Sequence, residues 1–454
     1  MKRHDVLIRS TVVLNVLLIT LVFVLCWEWS YGDNLWRRAF YGRGNYVVFA
    51  MFMVLYAIFG RTYDAFEISL HPVSEMIYSQ ALSAFFANVI MYGVICLLSR
   101  HMVTVIPLML CFAAQILVSI LWCSLVNFWY FHRYPPKKTY IVYDMRQDME
   151  SLISEYGMEK KFQVIGSCSA AECLAADMEM IRPGLQAVYM CGVHSHERNV
   201  ILKKCIELGI TVYVNPRIGD LIMSSARKRH MYHLPILQVG RYVPTPEYAF
   251  CKRAFDLILS TLALIILWPI MLITALMVRS DGGPALYKQV RLTKDGREFK
   301  ILKFRSMRTD AEKDGIARLS AGENDDRITR VGKIIRAVRF DELPQLLNII
   351  KGDMSIVGPR PERPEIARQY EETLPEFRLR LQVRAGLTGY AQVYGKYNTT
   401  PYDKLQMDLM YIAHPGFIED LKICFATVKI LFMKESTEGI DAGATIAGNQ
   451  KPKK

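Results

Sequence analysis

Residues 336–362 read RAVRFDELPQLLNIIKGDMSIVGPRPE and carry the most informative charge pattern in the chain. Two adjacent carboxylates, Asp341 and Glu342, follow a basic segment and precede a Gly-Pro-Arg-Pro turn at 358–361. Neighbouring carboxylates repel one another, so they need a metal ion or cationic neighbours to stay ionised. Mg²⁺ prefers oxygen ligands and usually bridges one or two carboxylates to substrate phosphates. The stretch therefore predicts magnesium-assisted chemistry on a phosphate.

The acid pair has two interpretations at this point. In one, a carboxylate is the nucleophile, as in enzymes that form aspartyl-phosphates. In the other, the pair is an acidic cap at the N-terminus of a helix. Arg336, one turn earlier, and Arg360, within the turn, favour the first interpretation because guanidinium forks match phosphate oxygens.

Basic residues dominate the segment before the acid pair. Residues 288–339 contain 15 lysines and arginines against 8 aspartates and glutamates. Such runs are usually a solvated face, but Lys303 and Arg305 alternate with apolar neighbours in ILKFRSM at 301–307. That alternation predicts a strand or turn that directs Lys303 or Arg305 towards a pocket.

An amphipathic helix is predicted just before the acid pair. Its apolar residues recur at i, i+3, i+4 and i+7, with lysine and arginine on the other faces. The helix suits a membrane interface, although packing on a soluble core explains the stripe equally well. Two later stripes, at 343–350 and 421–432, favour the membrane. The apolar residues of the first stripe are Val331, Ile334, Ile335 and Val338.

Apolar residues make up 52% of the 454-residue chain and are concentrated in blocks. A bilayer core of about 30 Å needs about 20 helical residues, so four N-terminal blocks predict a four-helix transmembrane domain at 1–134. Buried core helices are the alternative. No cleavage site follows the first block, so we expect it to be retained. The four blocks are residues 10–27, 46–60, 81–99 and 103–131.

Charges around these blocks predict their orientation, although not uniformly. Positive residues before the first block and after the fourth favour cytoplasmic ends, whereas Arg37, Arg38 and Arg43 argue for the opposite. The net charge of +13 fits anionic lipid and a nucleotide-sugar better than nucleic acid, for which no motif is present. The ten cysteines have no CxxC spacing, so we expect neither a zinc site nor a disulfide framework.

Residues 138–243 alternate between apolar runs and helical stretches, which predicts a small Rossmann-like parallel α/β domain. A dinucleotide-binding domain would carry a G-x-G-x-x-G turn after its first strand. Residues 143–146 read YDMR there, without a glycine. We therefore expect a degenerate domain with a scaffolding or regulatory role and no dinucleotide.

A further apolar segment at 255–278 is interrupted by Pro269, which should kink a helix. Positive residues flank both ends, which favours a re-entrant helix that returns to the cytoplasmic face. A kinked full span is the alternative, and it would place the following residues outside the cell.

The chain from about 248 to 434 resembles the bacterial sugar transferases that act as polyprenyl-phosphate hexose-1-phosphate transferases, the monotopic phosphoglycosyl transferases. Five motifs in order carry the resemblance: CKRAFDLILS, KFRSM, RFDELPQLLNIIKGDMSIVGPRPE, RAGLTGYAQV and DKLQMDLMYI. The four N-terminal blocks and the α/β domain are similar to the long form that initiates exopolysaccharide or capsule synthesis. The sequence departs from the family at Trp268, where a serine often precedes the proline.

The resemblance implies a mainly helical catalytic domain at 248–434 and a C-terminal tail at 435–454. It implies that Asp341 attacks the β-phosphate of a UDP-sugar, releases UMP, and passes the phosphosugar to undecaprenyl phosphate. Glu342, together with Asp341, would hold Mg²⁺, and the other predicted phosphate-binding residues are Arg336, Arg360, Lys303 and Arg305. We expect a homodimer among membrane lipids of the bacterial plasma membrane, with the catalytic domain on the cytoplasmic face. Glucose, galactose and an acetamido sugar all remain open as substrates.

Two other classes of protein remain as alternatives. A membrane-anchored nucleotide-sugar dehydratase or epimerase would need a glycine fingerprint and a Tyr-x-x-x-Lys pair, and Tyr287 and Tyr370 precede Arg291 and Leu374 instead. A non-catalytic scaffold for polysaccharide assembly has no reason to carry the acid pair together with Arg360.

Overall fold

The computed structural model describes residues 2–32, 43–144, 148–280, 282–308, 327–395 and 399–431. These residues form two compact units, Met1–Pro216 and Arg217–Lys454. Each unit has its own core, and each is described by itself.

Four long apolar helices lie at the start of the first unit, within the residues that the structure describes. By length and composition, each is able to cross a membrane. Many of their large apolar side chains face outwards, as expected for helices surrounded by lipid. The prediction of several apolar N-terminal helices is therefore confirmed. They are α1 (Lys2–Cys26), α2 (Arg43–Thr62), α3 (Val73–Ser99) and α4 (Ile106–Arg133).

A cluster of polar side chains, the amide cluster, lies buried among three of these helices. Asn15 of α1 donates from Nδ2 to Gln80 Oε1 of α3, at 3.2 Å. Tyr56 of α2 donates its hydroxyl to Asn15 Oδ1, at 3.0 Å. Buried polar groups need such partners in apolar surroundings, so the amide cluster ties α1, α2 and α3 together.

The first unit ends in a four-stranded sheet with strand order β2-β1-β3-β4, all parallel. This sheet, with its helices, confirms the predicted parallel α/β arrangement. Tyr143 and Asp144 stand at the carboxyl end of β1, while Met145 and Arg146 lie outside the described residues. The strands are β1 (Lys137–Tyr143), β2 (Phe162–Ser169), β3 (Ala187–Cys191) and β4 (Thr211–Asn215), and the helices are α5 (Met149–Glu155), α6 (Ala170–Ala175) and α7 (Ser195–Glu207).

The described part of the second unit contains three two-stranded sheets together with its helices. The pairs β5–β6 and β7–β8 are antiparallel, and the pair β9–β10 is parallel. Its core continues into α8, whose Ile218 and Leu221 are buried with Ile349 and Met354. The elements are α8 (Ile218–Ser224), β5 (Arg227–Met231), β6 (Leu234–Gln238), α9 (Pro246–Ser280), β7 (Leu286–Leu292), β8 (Glu298–Phe304), α10 (Arg330–Ala337), α11 (Gln345–Lys351), β9 (Met354–Val357), α12 (Pro364–Thr373), β10 (Ala385–Thr388), α13 (Tyr390–Tyr394), α14 (Pro401–Ala413) and α15 (Phe417–Leu431).

Helix α9 contains the predicted segment 255–278 and continues through Pro269 as one helix. Near its start, Asp256 accepts hydrogen bonds from Ser355 Oγ and the Ile356 amide, at 3.1 and 3.0 Å. Near its end, Val278 is buried against the cluster around Phe304. Both ends of α9 are thus fixed to the same unit.

Helix α10 divides the predicted apolar stripe between two environments. Ile335 is buried beside Val278, and Val331 packs against the same cluster. Ile334 is exposed, as is Val338, which lies just beyond the helix end. Half of the stripe therefore belongs to the core. The other half is exposed and is free to contact an apolar surface such as the membrane interface.

Candidate active site

The acid pair lies in a short 3-10 turn, Phe340–Glu342, between α10 and α11. Arg339 adopts the left-handed conformation, with φ 56°, and so redirects the chain after α10. Pro344 occupies the N-cap of α11, and no side chain caps that end. The pair therefore does not cap the following helix.

Glu342 is held by two cations. Its Oε1 atom is 2.7 Å from Lys303 Nζ and 3.0 Å from Arg360 Nη2, and its side chain is only 14% exposed. Burial alone would raise the pKa of Glu342, but Lys303 and Arg360 outweigh burial and hold that pKa below its usual value. Glu342 is therefore ionised in this site.

Asp341 has the opposite environment. It is 9% exposed, and burial raises the pKa of its carboxyl. The charge of Glu342 raises this pKa further, while Lys303, Arg336 and Arg360 lower it. Two adjacent carboxylates with opposed pKa shifts are suited to two different tasks.

The Gly-Pro-Arg-Pro turn is held by the carbonyl oxygens of residues 359–362. Prolines cannot donate a backbone hydrogen bond, so the turn depends on these acceptors. Gly386 leaves no space for a side chain, because a Cβ there would overlap backbone atoms of Gly358. The Gly386 amide donates to the carbonyl of Pro359, and Arg380 Nη2 donates to that of Arg360. Arg291 Nη1 donates to the carbonyl of Pro361, and the Leu292 amide donates to that of Glu362.

Comparison with known proteins places this unit in a family. The family model described as bacterial sugar transferase matches residues 247–434. An exopolysaccharide production protein, PSS, of Rhizobium leguminosarum bv. phaseoli is 42% identical over 187 residues, which cover 39% of this chain and 92% of that protein. The chain belongs to the bacterial sugar transferase family.

Two further members have names that state an activity. The UDP-N-acetylgalactosamine-undecaprenyl-phosphate N-acetylgalactosaminephosphotransferase of Aeromonas hydrophila is 36% identical over 234 residues, 51% of this chain and 54% of that protein. The UDP-glucose:undecaprenyl-phosphate glucose-1-phosphate transferase of Caulobacter vibrioides is 38% identical over 206 residues, 44% of this chain and 76% of that protein. The chain thus spans about half of the Aeromonas sugar transferase.

Of the residues predicted from the sequence of this sugar transferase, Lys303, Arg336 and Arg360 surround the acid pair. Arg305 does not join them. Its guanidinium is buried and donates to the carbonyl oxygens of Pro284, Met307 and Val278. The physical reason is that β8 ends at Phe304, so the strand alternation that would place both cations on one face stops there.

Pro269 lies on an exposed part of α9. Three charged residues that sequence reasoning gave no role lie beside the turn instead: Glu362, Arg380 and Asp408. The sequence signal for Asp408 is its place in DKLQMDLMYI, one of the five motifs that carry the resemblance described above.

The acid pair has the donor chemistry that Mg²⁺ requires. Two carboxylates side by side offer only oxygen ligands, and one or two carboxylates plus phosphate oxygens are the usual magnesium environment. Within the described ranges, no group of three histidine, cysteine or acidic residues is placed to hold a metal by itself. The residues therefore fit a magnesium ion that substrate phosphates help to bind.

Proposed function

We propose that the chain transfers a hexose 1-phosphate from a UDP-sugar to undecaprenyl phosphate and releases UMP. This reaction would be the first membrane step of exopolysaccharide, capsule or O-antigen synthesis. The observation that carries the proposal is a buried Asp341 beside an ionised Glu342, with Lys303 and Arg360 on the same carboxylate. The names of the Aeromonas and Caulobacter relatives support the substrate classes.

In the first step, a carboxylate oxygen of Asp341 attacks the β-phosphorus of the UDP-sugar. The bond from that phosphorus to the bridging oxygen breaks, and UMP leaves with the electron pair. The raised pKa of Asp341 supports this role, because a more basic carboxylate is a better nucleophile. The product is a phosphosugar joined to Asp341.

In the second step, a phosphate oxygen of undecaprenyl phosphate attacks the phosphorus of the adduct. The bond to Asp341 breaks, and the free carboxylate is restored. Two successive displacements let one site handle both a water-soluble donor and a lipid acceptor.

The cations complete the site. Lys303, Arg336 and Arg360 would hold phosphate oxygens as negative charge develops on the leaving UMP. Glu342, with Asp341, would hold Mg²⁺, which when bound neutralises the diphosphate of the donor. Arg305 is left out of this group because backbone carbonyls engage its guanidinium.

We propose that α9 is re-entrant and that the second unit lies on the cytoplasmic face of the plasma membrane, where UDP-sugars are made. The ends of a helix that crosses a bilayer lie on opposite sides, about 30 Å apart. Here both ends of α9 contact one compact unit. Its middle carries exposed apolar side chains suited to lipid: Ile258, Leu262, Ile265, Ile266, Trp268, Leu272, Ile273 and Leu276.

Cysteine labelling tests this topology in sealed cells. The native thiol of Cys251 is exposed at the start of α9, and Lys288→Cys adds a thiol after its end. Both should be protected from a membrane-impermeant reagent and should react after the cells are opened. Met102→Cys, between α3 and α4, is the control that should react from outside. External labelling at position 288 would contradict the re-entrant arrangement.

Release of UMP tests the proposed reaction. Purified protein in detergent should release UMP from at least one UDP-sugar in a panel of glucose, galactose and acetamido sugars. Sustained release should require Mg²⁺ and undecaprenyl phosphate, and the sugar should appear in the lipid fraction as a diphosphate. Transfer of sugar without its phosphate, or no transfer with any member of the panel, would refute the proposal.

A further inference from the structure

A buried ion pair lies directly behind the Gly-Pro-Arg-Pro turn. Arg380 is 3% exposed, and its Nη2 atom donates to the carbonyl oxygen of Arg360, at 2.9 Å. The same Nη2 atom lies 2.7 Å from Oδ2 of Asp408, which is 1% exposed. The guanidinium also lies over the ring of Phe377, 4.8 Å from its centroid. Arg380 therefore has a fixed place between α14 and the turn.

Asp408 is a buried carboxylate that depends on its pairing with a cation. Burial raises its pKa to about 6 and the charge of Glu362 adds to that rise, whereas Arg380 and Lys404 oppose it. A buried carboxylate is costly unless a cation pairs with it. Within the described residues, Arg380 is the cation that contacts Asp408. The position of Arg380 is therefore coupled to the charge of Asp408.

Arg360 is the residue on which this pair acts. Pro359 and Pro361 restrict the backbone on either side of Arg360, and their carbonyls are bonded to Gly386 and Arg291. Arg380 holds the remaining carbonyl, that of Arg360 itself. The other end of Arg360, its guanidinium, contacts Glu342 at 3.0 Å. The direction of the Arg360 side chain is therefore set through its own peptide group.

We propose that Asp408 and Arg380 are positioning residues that orient Arg360 towards the phosphates of the donor. The inference rests on the proposed function. Asp408 fixes Arg380, Arg380 fixes the peptide of Arg360, and the guanidinium of Arg360 then meets both Glu342 and the diphosphate. Neither Asp408 nor Arg380 needs to touch the donor in this arrangement.

A structural role for Asp408 is the competing explanation, and the chain offers a matched control. Asp420 is also 1% exposed and also pairs with a cation, Lys252, at 2.9 Å. It accepts further hydrogen bonds from the hydroxyls of Tyr248 and Tyr411, at 2.9 and 2.7 Å. These partners join α9, α14 and α15, and none belongs to the turn. Asp420→Asn thus removes an equally buried charge without acting on Arg360.

The experiment is a double-mutant cycle in the full-length protein, with release of UMP from a UDP-sugar as the readout. Asp408→Asn should lower kcat/KM for the donor by about tenfold to a hundredfold, the effect of a small misplacement of a binding group. In an Arg360→Lys background the same substitution should cost much less, because the group that it positions has already been altered. Asp420→Asn should lower the thermal unfolding temperature, and its effect on kcat/KM should be equal in both backgrounds.

Arg380→Lys provides a second route to the same test if Asp408→Asn fails to fold. It keeps the positive charge beside Asp408 but loses the planar guanidinium that also reaches the Arg360 carbonyl. It should reproduce the loss in kcat/KM and the dependence on Arg360.

The outcomes separate this inference from the proposed function. If the wild type releases UMP but the effects of Asp408→Asn and Arg360→Lys simply multiply, the positioning role is wrong and the proposed reaction stands. An unchanged kcat/KM in Asp408→Asn has the same meaning. If the wild type releases UMP from no donor, the proposed function fails and the inference fails with it.

Discussion

Asp341→Asn should eliminate the phosphosugar adduct and lower turnover by orders of magnitude. The substitution preserves the shape of the side chain but removes the oxyanion that attacks the β-phosphorus. Each 1.36 kcal/mol of lost transition-state stabilisation costs about tenfold in rate, and loss of the nucleophile removes the reaction path itself. The measurement uses a UDP-sugar labelled in the sugar, without lipid acceptor, and follows the label on protein. Wild-type protein should carry it on the peptide that contains Asp341.

Asp353→Asn is the control for the loss of a buried carboxylate in the same unit. Asp353 is buried and lies near Arg297 and Lys351, neither of which contacts the acid pair through a hydrogen bond or ion pair described above. This variant should form the adduct. Accumulation of adduct in Asp341→Asn, or normal turnover, would assign the nucleophile to another residue.

Glu342→Gln should also be severely impaired, but for a different reason. The amide cannot balance Lys303 and Arg360, so two partly buried cations lose their shared carboxylate. The charge of Glu342 also raises the pKa of Asp341, so its removal should lower that pKa and weaken the nucleophile. We expect a large fall in kcat, of which a part is recovered at higher Mg²⁺ concentration.

A magnesium titration of turnover checks this second prediction. Glu298→Gln, on an exposed part of β8, is the control and should behave as the wild type. Adduct formation in Glu342→Gln should be slow but detectable, because Asp341 is still present. If activity is lost completely and does not respond to Mg²⁺, the prediction that Glu342 binds the metal is wrong.

The sequence alone was enough to predict candidate site residues where a short local pattern and its chemistry point to the same role. The acid pair, Lys303 and Arg360 were all predicted from local residues, and they lie together. The strand–helix rhythm of the middle region predicted parallel strands, but it carried no information on the order β2-β1-β3-β4.

The sequence was less informative where tertiary contacts decide the arrangement. Arg305 donates to backbone carbonyl oxygens because β8 ends one residue earlier, and alternation alone specifies strand ends poorly. Asp408 was missed because a single acidic residue on a helix gives no sign of burial. Its partner Arg380 is 28 positions earlier in the sequence, and only the fold brings the two together.

The amide cluster bears on how the protein is made. Asn15 reaches its partners only after Tyr56 and Gln80 have entered the bilayer on the two following helices. Until then its side chain has no partner in the hydrocarbon, where an unsatisfied polar group costs several kcal/mol. The partners of Asn15 are therefore supplied by the two helices that follow it in the chain, and packing among the three helices removes this cost.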